Sequence, residues 1–123
     1  MNRVIKFRGQ KVSNGELVYG QLRYATGKDL GKVFIFNDKG LYEIMPNTES
    51  QFTGKKDCKG KEIYEGDIIE FDIKEWGGKG NIHVVSWNEE YAEWSWGGGT
   101  VFDMNFRTVI GNIFENRNLF VST

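Results

Sequence analysis

No stretch of about ten residues in this 123-residue chain shows the apolar spacing of an amphipathic helix. Short runs of alternating apolar and polar residues follow one another instead, separated by turns that contain glycine. Nine Phe, five Tyr and four Trp favour the half-buried, pleated surface of a sheet. The sequence therefore predicts a mainly β protein in which short antiparallel strands form a small barrel or a sandwich.

The clearest local pattern is a pair of apolar-rich runs on either side of Asn14-Gly15. Asn-Gly favours a two-residue type I′ turn, because both residues tolerate a positive φ. Ile5 and Phe7 alternate with charged residues in the first run. We therefore predict an antiparallel β-hairpin at the start of the chain.

A second pattern is the run Val33-Phe34-Ile35-Phe36, which is apolar at every position. A strand of this kind is either buried on both faces or forms an interface with one of them. Both alternatives stay open at this point, because a chain of this size has little interior in which to cover two faces.

The middle of the chain contains several turn signals. Residues 61–65 are expected to form one helical turn, and Glu65-Gly66-Asp67 is expected to form a tight turn that leads into a strand. We predict one domain with three parts: an N-terminal β-hairpin lobe at about 1–50, a connecting motif at 51–66, and an SH3-like barrel lobe at 67–123.

The run QFTGKKDCKGKEIYEGDII at residues 51–69 resembles the central motif of the YopX-like proteins of phages and prophages. The segments at 6–22 and 109–116 are similar to the beginning and end of that family, whereas residues 74–106 match no pattern. Cys58 occupies a position where members often carry Asn, which argues against a required thiol. The matching positions are Gln51, Phe52, Thr53, Gly54, Asp57, Gly60, Ile63, Tyr64, Glu65, Gly66, Asp67 and Ile68.

The resemblance implies a phage-derived, mostly β protein without an established biochemical role, and it implies no catalytic residues. We predict that the motif is structural, with glycines that permit tight turns and with Ile63 and Tyr64 packed between the two halves. The residues assigned this structural role are Gly54, Asp57, Gly60, Tyr64, Gly66 and Asp67.

The sequence contains little that indicates an enzymatic site or a metal site. A zinc site needs three or four ligands, and the chain has one His and one Cys, His83 and Cys58. No nucleophile elbow, phosphate-binding glycine loop or calcium-loop spacing occurs. We therefore predict a non-enzymatic protein without a cofactor. A hard-cation site remains the alternative for the acidic residues Asp57, Glu62, Glu65, Asp67, Glu70 and Asp72.

Charge is distributed unevenly along the chain. Residues 1–61 contain 12 basic and 6 acidic side chains, and residues 62–123 contain 4 and 11, so their net charges are +6 and −7. The halves either attract each other within one fold or present a basic face to an acidic partner. A single cysteine, a charged N-terminus and the absence of long apolar runs predict a cytoplasmic protein that does not contact a membrane.

Two functions fit these features. The first is an accessory protein that binds another protein or itself through the apolar side chains Phe34, Phe36, Trp76, Tyr91, Trp94 and Trp96. The second is a nucleic-acid-binding small barrel, in which Trp76, Trp87, Tyr91, Trp94 and Trp96 would stack on bases. Lys55, Lys56, Lys59 and Lys61 would then contact phosphates, although Glu89, Glu90 and Glu93 interrupt the aromatic side chains. We therefore favour the protein-binding function.

Overall fold

The computed structural model describes residues 4–71, 82–95 and 107–116, and strands joined by turns make up most of them. The mainly β prediction is confirmed. In these ranges the helical structure is limited to a single 3₁₀ turn at Gly27–Asp29, and no helix has the length and hydropathy of a membrane span. The strands are β1 (Phe7–Gln10), β2 (Leu17–Tyr24), β3 (Val33–Asn37), β4 (Gly40–Ile44), β5 (Ser50–Lys56), β6 (Glu62–Tyr64), β7 (Asp67–Phe71), β8 (Ile82–Val84), β9 (Ser86–Asn88), β10 (Glu93–Ser95) and β11 (Arg107–Asn112).

The chain divides into two compact units, Met1–Phe52 and Thr53–Thr123. In the first unit, β1 to β4 form an antiparallel sheet in chain order, and the start of β5 pairs with β1. Side chains alternate between the two faces of a strand, so every second residue of β2, β3 and β4 lies on one inner face. The core on that face consists of Val18, Val33, Ile35 and Ile44, with Phe7, Leu22 and Tyr42 packed against it.

The sheet of the first unit curls until the end of β4 meets the residues that follow β1. Lys11 and Ile44 form an antiparallel bridge, and the Val12 N–H donates to the Glu43 carbonyl at 3.0 Å. These bonds satisfy backbone groups at one end of an edge strand. One bridge does not close a barrel, however, and the described strands form open sheets rather than the closed barrel that was one of the two predicted forms.

The first hairpin is confirmed, because β1 pairs with β2 in antiparallel fashion. Its turn differs from the type I′ turn that the Asn-Gly pair predicted. Gly15 has a φ of 75°, but Asn14 does not have a positive φ. The Asn14 side-chain oxygen instead accepts the Glu16 N–H at 3.0 Å, and the Lys11 N–H donates to the Glu16 carbonyl at 2.9 Å. This local side-chain bond stabilises a longer connection.

The second unit contains a three-stranded antiparallel sheet in the order β11, β7, β8 and a hairpin of β9 and β10. Its buried core consists of Ile63, Ile69, Val85 and Val109, and Trp94 from β10 packs against it. The register between β11 and β7 shifts after Val109, which marks a bulge in β11. The described strands do not test the SH3-like arrangement, which stays a prediction.

The predicted helical turn at residues 61–65 is wrong, because Glu62–Tyr64 is the strand β6. It lies beside β5, and the Thr53 hydroxyl donates to the Ile63 carbonyl at 2.7 Å. Strand pairing and the burial of Ile63 outweigh the weak helix propensity of so short a segment. The tight turn expected at 65–67 is present, and Gly66 has a φ of 87°. Trp76, Trp96 and Gly97-Gly98-Gly99 lie outside the described residues.

We predict that Gly20→Ala destabilises the protein by about 1–3 kcal/mol, because the new methyl group has no room. A Cβ atom at Gly20 would collide with the Phe36 carbonyl oxygen and lie 3.1 Å from the Asn37 Cβ. The collision involves backbone of the neighbouring strand β3, so no side-chain rotation relieves it. Urea unfolding of the variant measures the loss.

Arg23→Ala, on the exposed face of the same strand, is the matched control and should change the free energy of unfolding by less than about 0.5 kcal/mol. Equal stabilities of the Gly20 variant and the unmodified protein would show that β2 and β3 are not packed as closely as described.

Candidate functional site

The outer face of β2, β3 and β4 carries large apolar side chains that the first unit does not bury. The register places Phe36 between Gln21 on β2 and Leu41 on β4. Tyr19 lies on the same face of β2, two residues before Gln21. Tyr19 is 45% exposed, Phe36 42% and Leu41 54%. We call Tyr19, Phe34, Phe36 and Leu41 the outer apolar face.

This arrangement resolves the two alternatives left open for β3. Val33 and Ile35 face the core and are buried, whereas Phe34 is half-buried and Phe36 is exposed. The strand is therefore buried on one face only, and its second face is available to a partner. A curled sheet of this size encloses one layer of apolar side chains, so the remaining ones must point outward.

Exposed charged side chains lie beside part of the outer apolar face, because Phe34 is between Arg23 on β2 and Glu43 on β4. Arg8, next to Tyr19, is instead buried, and its Nε donates to the Ser50 hydroxyl at 3.0 Å. An exposed apolar patch with charged neighbours is typical of a protein-interaction site.

The second unit has its own aromatic pair. Trp87 and Trp94 lie opposite each other on β9 and β10, with ring centroids 5.0 Å apart at an interplanar angle of 72°. Trp94 rests on the core of the unit, so much of its surface is unavailable for base stacking. Tyr91, in the turn between these strands, is 68% exposed. Among the described residues that were predicted to lie on the surface of this unit, Tyr91 and Trp87, which is 43% exposed, are accessible, whereas Trp94 is half-buried.

Asp57 organises the central motif from a buried position. Its Oδ1 accepts the N–H groups of Lys59 at 2.9 Å and Lys61 at 2.8 Å. Its Oδ2 accepts the N–H of Val109 on β11 at 2.9 Å. One carboxylate thus holds the loop between β5 and β6 closed and also fixes that loop to another strand.

These bonds determine the charge state of Asp57. Burial raises the pKa of its carboxyl, but the N–H donors of Val109, Lys61 and Lys59 and the charge of Lys61 lower it more. The net result is a pKa below the ordinary value of 3.8. Asp57 is therefore ionised at neutral pH, and its ionised form stabilises the fold.

The Asp67 carboxylate also accepts a backbone N–H group, at the next turn. Its Oδ2 accepts the Tyr64 N–H at 2.7 Å, and both residues are buried. Gly66 has a positive φ between them, and its N–H donates to the Val85 carbonyl at 2.8 Å. Gly54 and Gly60 also have positive φ values, 88° and 84°. Asp57, Gly60, Gly66 and Asp67 thus form turns or bond to their backbone, whereas Gly54 and Tyr64 lie within the strands β5 and β6.

The loop held by Asp57 presents a dense group of positive charges. Lys55, Lys56, Lys59 and Lys61 are all exposed, whereas Asp57 is only 7% exposed. In the described part of the chain, none of these four lysines forms an ion pair. We call residues 54–61 the lysine hairpin.

The described residues contain no group of three His, Cys, Asp or Glu side chains that could hold a metal ion. His83 lies half-buried on β8, opposite Ile69. Cys58 is exposed, with its Sγ 3.4 Å from the Thr108 hydroxyl. The carboxylates of Asp57 and Asp67 accept backbone N–H groups, so their hydrogen bonds stabilise the turns.

Sequence reasoning identified Phe34 and Phe36 but missed the other members of the outer apolar face. Tyr19 and Leu41 lie in separate strands, and only the strand register brings them beside β3. Tyr19 also alternates with the core residue Val18, so its position in the strand indicated the outer face. That signal was present in the sequence and could have been used.

The antiparallel sheets of both units define a mainly β protein. The family model described as YopX protein matches residues 6–120. The chain belongs to the YopX family, as the central motif predicted.

The crystal structure of protein EF1440 from Enterococcus faecalis has a similar fold, with a TM-score of 0.63. The two sequences are 22% identical, and the similarity covers 96% of this chain and 99% of that one. Among the curated proteins, none matches this chain. The comparisons therefore support the family and the fold.

We predict that Asp57→Asn lowers the free energy of unfolding by about 1.5–3 kcal/mol at pH 7, because an amide replaces a charged acceptor of three N–H groups. The folded-state pKa of Asp57 is lowered, so its stabilisation is present above the unfolded pKa of about 4 and is lost as the pH falls below it. Urea unfolding at neutral and acidic pH should therefore show the difference between the two proteins shrinking below about pH 4.

Asp38→Asn, in the exposed turn between β3 and β4, is the matched control and should have little effect at either pH. A constant difference between Asp57→Asn and the unmodified protein across this range would contradict the assigned role of the Asp57 charge.

We also predict that Tyr64→Ala costs about 3–5 kcal/mol, because it removes a buried aromatic side chain. Tyr91→Ala removes the same group from an exposed turn and should leave the melting temperature nearly unchanged. Thermal melts followed by circular dichroism compare them. An unchanged melt for Tyr64→Ala, together with a lost binding activity, would assign the motif to a functional surface.

Proposed function

We propose that this YopX-family chain is a non-enzymatic accessory protein of a phage or prophage. It acts in the host cytoplasm by associating with another copy of itself through the outer apolar face. The observation that carries the proposal is the exposure of Tyr19, Phe36 and Leu41 on adjacent strands. The phage origin rests on the family resemblance of the central motif.

A second copy fits this face because of its composition. Large apolar side chains occupy the middle, and Arg23 and Glu43 lie on either side of Phe34. In a two-fold symmetric contact the same patch serves both partners, so Arg23 of one copy can face Glu43 of the other. Apolar contact supplies most of the free energy, since exposed ion pairs contribute only about 0–1 kcal/mol each.

A non-enzymatic role agrees with the use of the acidic groups in the motif. Asp57 and Asp67 accept backbone N–H groups at distances of 2.7–2.9 Å. A general acid or base needs a free position beside the substrate, which these carboxylates do not offer. Base stacking on tryptophan, the alternative function, has weaker support because Trp94 packs against the core, which leaves Trp87 as the exposed tryptophan among the described residues.

We expect light scattering coupled to size-exclusion chromatography to show a mass above 14.1 kDa at roughly tens of micromolar protein. Phe36→Glu places a charge in the middle of the contact and should give the monomer mass. Because the contact is mainly apolar, moderate salt should not dissociate it.

The control is Leu30→Glu, which makes the same change at an exposed residue outside the strands. It should leave the association intact. A single 14.1 kDa species at both low and high salt would refute the proposal. An oligomer seen only at low salt would assign the contact to the charged halves of the chain.

A further inference from the structure

We propose that the lysine hairpin is a sequence-independent contact site for the phosphate backbone of nucleic acid. This site belongs to the second unit and shares no residue with the outer apolar face. Four lysines occur within residues 55–61, and all four are exposed. The lysine ammonium group attracts phosphate as a point charge, and such contacts do not depend on the base sequence.

The structure explains why this segment keeps its full positive charge at the surface. Asp57 is the one acidic residue in the hairpin, and it is buried. Both of its oxygens accept N–H groups of Lys59, Lys61 and Val109. The carboxylate therefore lies beneath the loop, where it leaves the outward charge uninterrupted.

The hairpin is also held in place before any ligand arrives. The Asp57 N–H donates to the Lys61 carbonyl at 2.8 Å, which closes the loop on itself. The Cys58 N–H donates to the Arg107 carbonyl at 3.0 Å, and the Val109 N–H reaches Asp57 at 2.9 Å. An ordered loop loses little backbone entropy on binding, which favours the contact.

The chemistry of the exposed residues favours nucleic acid over an acidic protein. Apart from the lysines, the exposed residues of the hairpin are Gly54, Cys58 and Gly60. Protein interfaces are built around aromatic or other apolar anchors and are depleted in lysine. A lysine surface without such an anchor fits a repeating, hydrated phosphate chain better.

Four phosphate contacts have a measurable consequence. A plot of the logarithm of the binding constant against the logarithm of the salt concentration should have a slope of about −3.6 for duplex DNA. The affinity should then drop about 100-fold between about 50 and about 200 mM salt. Replacing three of the lysines should reduce the slope by about 3, which leaves only about a fourfold drop.

The experiment is fluorescence anisotropy with labelled DNA of mixed sequence, about 30 nucleotides long, as a single strand and as a duplex. The tested variant is the triple substitution Lys55→Gln, Lys56→Gln and Lys59→Gln. Lys61 is retained because its charge stabilises ionised Asp57. The matched control is a triple substitution to Gln that removes the same charge from exposed lysines of the first unit: Lys28, Lys32 and Lys39.

We expect binding that is independent of base sequence, at least tenfold weaker in the hairpin variant, and close to unchanged in the control. Circular dichroism melts should show both variants folded. An equal loss of DNA affinity in the two variants would overturn the proposal, because the overall positive charge of the protein would then explain the binding. The absence of binding up to about 100 μM protein at low salt would also overturn it. So would competition by polyglutamate as effective as that by DNA, which would indicate an acidic protein partner.

Discussion

The bonds of Asp57 are the interaction on which the second unit depends. One carboxylate accepts two N–H groups within its own loop and a third from β11. Removing any of these donors would leave the buried carboxylate with an unsatisfied hydrogen-bond acceptor, which lowers the free energy of unfolding. The loop between β5 and β6 and the register of β11 are therefore coupled through a single side chain. The run of turns around Gly60 and Gly66 makes this geometry accessible to the backbone.

Local signals in the sequence predicted the strands and most of the turns. Alternation and the Asn-Gly pair were sufficient for the first hairpin, because both depend on neighbouring residues. The bridge between Lys11 and Ile44 was not predictable, since it joins segments more than thirty residues apart. The strand β6 was missed for the same reason, because its conformation is stabilised by pairing with β5.

The candidate surface was predicted in part. Phe34 and Phe36 were identified because the run that contains them is apolar at every position. The alternation of Tyr19 with Val18 indicated its face, but only the strand register places Tyr19 and Leu41 beside β3. Trp94 was chosen for its size, but size alone does not separate a surface aromatic from one that packs on a core. Aromatic content thus predicted the sheet better than it predicted the surface.

Burial of charge separates the structural from the accessible part of the central motif. Asp57 and Asp67 are buried and hydrogen-bonded, whereas the lysines around them are exposed. A carboxylate is short and forms compact turn bonds, whereas a lysine side chain is long and keeps its charge in water. The same eight-residue hairpin can therefore satisfy its backbone with one buried acidic group, Asp57, while its exposed charged groups are all basic. The turn bonds use the backbone N–H groups of Lys59 and Lys61 and leave the lysine side chains exposed, so a structural motif and a charged surface coexist in one segment.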